Sequence, residues 1–210
     1  MGRPKKSDQD TKSAREKLLE AAFTLIRNKG YAATTVDDLC KEANVSKGTF
    51  FHYFENKEAF AIEAANHWSQ VTGEFFETAP YHKHKDPFER LLGYVQFRKQ
   101  ILQGTIPEIT CLVGTMVQEA HASHPELREA CRESIFSHAE TLETDIKEAK
   151  KLYAPKATWT PESLALHTQA VIQGAFILAK AADNAELASQ SIDHLIHYLQ
   201  LLFNKEMNHV

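Results

Sequence analysis

The chain has little with which to crosslink itself. Its 210 residues hold three cysteines, Cys40, Cys111 and Cys131, an odd number without CxxC spacing that suits a reducing cytoplasm better than a disulfide framework. No apolar run approaches the roughly 18 residues that span a bilayer. No apolar stretch follows the basic N-terminus, as a secretory leader would require. A cytoplasmic protein without a membrane partner is therefore expected. HExxH, GxSxG, a P-loop and a dinucleotide fingerprint are all missing, which removes the familiar hydrolases and nucleotide enzymes. Strand-like alternation, internal repeats and low-complexity stretches are missing too, and an all-α fold is the expectation.

What is present starts with charge. Residues 1–57 carry 11 Lys and Arg against 8 Asp and Glu, whereas residues 58–210 carry 13 against 20. A basic head on an acidic body suggests that the head meets a polyanion. At 43% hydrophobic and 25% charged the body has apolar mass enough for a core. The pattern divides the chain into a flexible basic arm (1–10), a compact head (11–57) and a larger helical body (58–210). About nine helices are expected from the 3.6-residue periodicity.

The head holds the densest signal. Leu18, Leu19, Ala22, Phe23 and Ile26 recur at spacings of three and four, and Gly30 ends that helix. Thr35 is placed to cap a second helix with Val36, Leu39, Cys40 and Ala43 inward, and Ser46 to cap a third after "NVS". Two short helices on a tight turn form a helix-turn-helix signature. In the third, Phe50, Phe51, Tyr53 and Phe54 crowd round His52. Phe50 and Phe54 lie four apart and share one face, assigned to the core. Lys47, Gly48, Thr49, Phe51, His52 and Tyr53 then face outward. Lysine and threonine suit phosphates and base edges, Tyr53 can donate to a phosphate oxygen, Gly48 permits close backbone approach, and Lys57 adds charge nearby.

The stretch "LLEAAFTLIRNKGYAATTVDDLCKEANVSKGTFFHYFENKEAF" resembles the DNA-binding region of the tetracycline-repressor-like (TetR) family of bacterial transcriptional regulators, over residues 11–60. The resemblance implies DNA contacts at Thr35, Lys47, Thr49, Phe51, Tyr53 and Lys57. It departs from the family at Phe51, where tyrosine is usual and a phosphate-binding hydroxyl is missing; Tyr53, where histidine is frequent, offers one instead. Gly2-Arg3-Pro4 resembles the core of minor-groove-reading AT-hook arms, with Arg3 suited to a narrow A·T-rich groove.

A single recognition helix reads too few base pairs, so a homodimer on a palindromic operator is expected, with the two helices roughly 34–36 Å apart. The C-terminal helices offer Leu164, His167, Val171, Gly174, Ala175 and Leu178, then Ile192, Leu195, Ile196, Leu199, Leu202 and Phe203, as dimer surface; the alternative is internal core. Trp68, Phe75, Tyr94, Phe97, Cys111, Met116, Phe136 and Phe176, with His121 and Gln173 as polar anchors, suggest a pocket for a small apolar or aromatic effector. Repression relieved by that effector is the expected mechanism. The rivals are a metal or redox sensor of the same fold, from the histidine pairs or from Cys111 and Cys131, and a helical binding protein or enzyme without DNA. The histidine spacing lacks the ligand density of a zinc site, so neither metal nor cofactor is expected.

Overall fold

In a computed structural model, residues 12–205 are described, and every described element is helical. The arm and Arg3 lie outside the described residues. Eleven α-helices follow in order: α1 (Ala14–Lys29), α2 (Val36–Glu42), α3 (Lys47–Tyr53), α4 (Lys57–Glu77), α5 (Pro87–Gln100), α6 (Ile106–Ile109), α7 (Leu112–Ala120), α8 (Pro125–Glu140), α9 (Glu143–Tyr153), α10 (Pro161–Ala182) and α11 (Glu186–Leu202). A 3-10 turn, Pro80–Lys83, joins α4 to α5.

The boundaries come from neighbouring side chains. Ser13 and Glu16 form a capping box on α1, as Thr35 and Asp38 do on α2 and Thr160 and Ser163 on α10. Asn56 caps α4, and Asp86 accepts two backbone N–H groups at the start of α5. Gly30, at φ 88°, takes the left-handed turn that ends α1, and Asn44 does so between α2 and α3 at φ 53°. The hydroxyl of buried Thr34 donates to the Gly30 carbonyl oxygen at 2.7 Å and pins the connection.

Two expected long helices are divided, which is why eleven replace nine. Over 108–122 the sequence pattern predicts one helix, but the chain makes the single turn α6 and restarts at Cys111, whose Sγ accepts the Gly114 N–H at 3.4 Å. From Pro125 to Lys151 the amphipathic pattern predicts one long helix, but it breaks at Thr141–Leu142. There the Thr141 hydroxyl donates to the His138 carbonyl oxygen at 2.7 Å, and the Leu142 N–H tightens onto Ala139 at 3.0 Å. That competition shortens the ladder, and Leu142 drops into the core.

Two principal apolar cores hold the molecule. The first joins Leu18, Leu19, Leu39, Phe50, Phe54 and Phe60 to Leu112, Met116, Leu127 and Cys131, so α7 and α8 pack against the head. The second gathers α5, α9, α10 and α11 around Phe88, Tyr94, Ile146, Ile172 and Leu195. Between the cores, α4 runs from the head into the body.

Candidate nucleic-acid interface and internal cavity

The aromatic cluster of α3 splits by face. Phe50 is fully buried, with ring centroids 5.4 Å from Phe54 and 5.3 Å from Phe60. Phe51, one residue on, is 51% exposed. Lys47, Gly48, His52 and Tyr53 are exposed with it, and Thr49 is half-buried. The ring of His52 lies 4.9 Å from that of Tyr53, so the outer face presents three adjacent rings behind one lysine. A Cβ placed on Gly48 would meet only the Ser46 hydroxyl oxygen, at 3.7 Å. The fold itself therefore has room for a larger residue there.

The cations on this surface differ in freedom. Lys47 pairs with Asp37 at 3.0 Å, both side chains well solvated, an arrangement worth little and readily exchanged for a phosphate. Lys57 is held more tightly than a free surface charge. Its Nζ donates to the Ala32 carbonyl oxygen at 3.2 Å and sits 4.4 Å from the Tyr31 ring centroid, and partial burial lowers its pKa. Thr35 is exposed, but its hydroxyl is engaged in the α2 cap with Asp38. The hydrogen bond from Lys29, followed by those from Thr35, holds the Asp38 carboxyl well below the usual range.

Between the cores lies a cavity of about 250 Å³. Trp68, Phe75, Cys111, Gln173 and Phe176 line it, as expected. Five other expected residues do not. Tyr94 is fully buried one layer behind, where its hydroxyl meets Gln169 and His138. Phe97 packs against Phe75 and Phe76 from outside the lining, and Met116 belongs to the first core. His121 is an exposed residue at the end of α7, and Phe136 points to solvent beneath Arg132. Periodicity marked these helices as amphipathic without saying which apolar residue bordered the gap.

The cavity also has polar lining that sequence reading missed: Thr72, Arg98, Glu108, Ser134, His138 and Gln169. Each lies on a helix whose spacing gives these positions no special mark, so only the packing distinguishes them. Gln169 Nε2 donates to the Tyr94 hydroxyl at 2.8 Å, and that hydroxyl lies 3.0 Å from His138 Nε2. Burial, reinforced by the nearby Arg98 charge, pushes the His138 pKa down from 6.5 to about 3. The imidazole is therefore neutral.

The proposed dimer residues separate in the same way. Leu164, Ala175, Ile192, Leu195, Leu199 and Phe203 are buried inside the chain. They correct the expectation of a wholly external stripe, because α10 and α11 use those positions to pack on α5, α8 and on each other. His167 and Leu178 are exposed, and Val171, Gly174, Ile196 and Leu202 are partly so. Ile177, Tyr198 and Leu201, which the sequence reading passed over, extend this surface; Leu178 is 54% and Leu201 67% exposed. A Cβ on Gly174 would meet nothing within 4 Å.

Against the rival sensors, Cys131 is buried, and burial pushes its thiol up to about 12, far from a reactive thiolate. Among the described residues no group of three His, Cys, Asp or Glu side chains is placed to hold a metal. Among them, too, no helix is long and apolar enough to cross a membrane.

Comparison with known proteins agrees with this geometry. Residues 18–64 match the family described as bacterial regulatory proteins, tetR family, and residues 87–195 match the tetracyclin repressor-like C-terminal domain. The transcriptional regulator AcuR of Cereibacter sphaeroides is 26% identical over 179 residues, covering 85% of this chain and 81% of that protein. The biofilm operon negative regulator IcaR of Staphylococcus epidermidis is 39% identical over 44 residues, 21% of this chain and 24% of its own. In fold, a TetR-family regulator from Cytophaga hutchinsonii superposes with a TM-score of 0.77 at 24% identity, covering 97% of this chain and 100% of that one. These relatives are regulators rather than enzymes. With both of its halves matched, the chain belongs to the TetR family of bacterial transcriptional regulators.

Proposed function

We propose that this protein is a homodimeric repressor that grips a palindromic operator through α3 and lets go when a small molecule fills the cavity. The observation that carries the reading is α4. It is one unbroken helix of 21 residues, with its first turn beside α3 and Trp68, Thr72, Phe75 and Phe76 of its later turns lining the cavity. A ligand pressing on those side chains tilts a rigid rod whose other end carries the reading head.

A second link runs through α1. Arg27 donates to the carbonyl oxygen of Glu108 at 2.8 Å, and its guanidinium lies 5.1 Å from the Trp68 ring centroid. Both partners line the cavity. The Ala32 N–H donates to Glu119 of α7 at 2.7 Å, tying the head to the body once more. An effector that binds the non-matching spacing of the two heads more tightly shifts the population away from DNA. A coupling of about 1–3 kcal/mol weakens the operator complex about 5- to 150-fold.

The exposed apolar face of α10 and α11 supports dimerisation. Gly174 leaves space for a partner helix, and Leu178, Tyr198 and Leu201 supply area that water would otherwise cover. Arg3 and the basic arm (1–10) reach the minor groove beside the head (11–57), while the body (58–210) dimerises and senses. Repression, rather than activation, is favoured by the likeness to a named negative regulator. DNA as target places the protein in the cytoplasm.

The test is selection of bound duplexes from a random library with the full-length protein. Palindromes with half-site centres about one helical turn, or a multiple of it, apart are expected. Enrichment of single half-sites, or of no sequence at all, overturns the proposal.

A further inference from the structure

Arg98 is an anomaly in the cavity. Its guanidinium lies between two rings, 5.2 Å from the Phe76 centroid and 5.6 Å from that of Phe176. Its Nε is buried, and among the described residues that atom has no hydrogen-bond partner and no carboxylate pairs with the side chain. The guanidinium is a full positive charge with five N–H donors. Buried donors are normally satisfied, and a charged one without a partner is costly to maintain.

The remaining ionisable lining does not answer that charge. His138 faces the same cavity and is neutral, held by Tyr94. Cys111 spends its sulfur on the Gly114 N–H. Among the described residues Glu108 is the only carboxylate in the lining, and its Oε2 takes both the N–H and the hydroxyl of Thr105 at 2.7 Å. It is thus tied to the start of its own helix. The walls otherwise are mostly apolar, including Trp68, Phe75, Ile101 and Val113.

We propose that Arg98 anchors an anionic effector: a small organic monocarboxylate whose apolar or aromatic body packs between α4 and α10. The guanidinium fork matches a carboxylate, and the rings on either side fix its orientation while excluding water. Gln173 also lines the cavity, and its amide Nε2 can donate to the same carboxylate. A monoanion fits better than an inorganic dianion, because one arginine cannot repay the hydration that two charges lose among aromatic walls. Volume sets the scale: a cavity of roughly 150 Å³ holds benzene, and about 250 Å³ admits one ring with a short acid side chain. This inference rests on the effector-site reading above and adds the charge of the ligand.

The experiment titrates the full-length protein by calorimetry with propionate, isovalerate, benzoate and phenylacetate, each beside its primary amide, and with inorganic phosphate. At least one acid is expected to bind about tenfold or more tighter than its amide, since a charge-assisted pair replaces a neutral one. Arg98→Met keeps the length between Phe76 and Phe176 and should erase that preference; Arg98→Lys should keep part of it. Wild type that binds none of the acids, binds amides equally well, or prefers phosphate overturns the proposal, with no variant needed. An Arg98→Met protein that folds and still prefers acids overturns it also. The two readings fail separately. Acids that bind without loosening selected operator DNA refute release and leave the anion site standing; operator release by amides alone does the reverse.

Discussion

Phe50 and Phe51 are adjacent and chemically identical, yet one is buried in the core and the other is half exposed, so truncating each in turn separates folding from recognition. Phe50 is 0% exposed and packs on Phe51, Phe54 and Phe60 at centroid distances of 5.2, 5.4 and 5.3 Å. Replacing it with alanine removes its transfer energy and leaves a cavity, a loss of about 3–5 kcal/mol. For a chain of this size about 1 kcal/mol moves the midpoint by about 2–4 °C, so Phe50→Ala should lower Tm by about 6–20 °C. Phe51 is half exposed and gives up chiefly its edge contact with Phe50, worth about 0.5–1.5 kcal/mol. Its Tm should fall by no more than about 6 °C. On DNA the order reverses. If each outward ring contributes about 1 kcal/mol per half-site, a two-fold complex loses about 2 kcal/mol, or about thirtyfold in Kd. Thermal melts monitored by circular dichroism give the first quantity, and fluorescence anisotropy on a selected palindrome gives the second. Phe51→Ala melting as early as Phe50→Ala, or binding the operator as tightly as wild type, would refute the outward placement of α3.

Three further outcomes follow from the same geometry. Lys47→Ala gives up only a solvated pair with Asp37 and should leave Tm nearly unchanged, while the log–log salt dependence of operator binding flattens by about 2 for the dimer, near 0.9 per phosphate released. Leu178→Asp with Leu201→Glu places charge on the exposed apolar face of α10 and α11, and sedimentation at micromolar concentration should show monomers that keep the wild-type circular dichroism. His138 is neutral when folded, with its pKa lowered to about 3. Its contribution is therefore complete above about pH 6.5 and lost as pH falls toward 3. At pH 5 the wild type should have lost about 2 kcal/mol relative to pH 7 from this group alone. His138→Gln keeps a hydrogen-bonding side chain beside Tyr94 and should flatten that part of the curve; parallel Tm–pH curves for the two proteins would contradict the buried neutral imidazole.

Much of the head was legible in the residues themselves. The capping pairs Ser13–Glu16 and Thr35–Asp38 lie three apart in the chain, and Gly30 stands at the turn it makes. Such signals act within one helical turn, so local sequence contains both partners. Phe50 and Phe54 inward with Lys47, Phe51 and Tyr53 outward likewise follows from a spacing of four on one short helix. The family match over residues 18–64 concerns this same stretch.

The body was another matter. Leu164 and Leu178 are both apolar and both on α10, yet one is core and the other faces solvent. Tyr94 and Phe75 read alike as pocket aromatics, but only Phe75 borders the cavity. Arg98, which no motif or spacing singles out, lies against Phe76 and Phe176, residues separated by a hundred positions. The sequence by itself determined where helices start, where they stop and how the reading head turns its side chains, because those choices are settled within a few neighbouring residues. Only the tertiary structure decided which apolar face is buried, where the cavity opens and which cation it encloses, because each depends on helices brought together from distant parts of the chain.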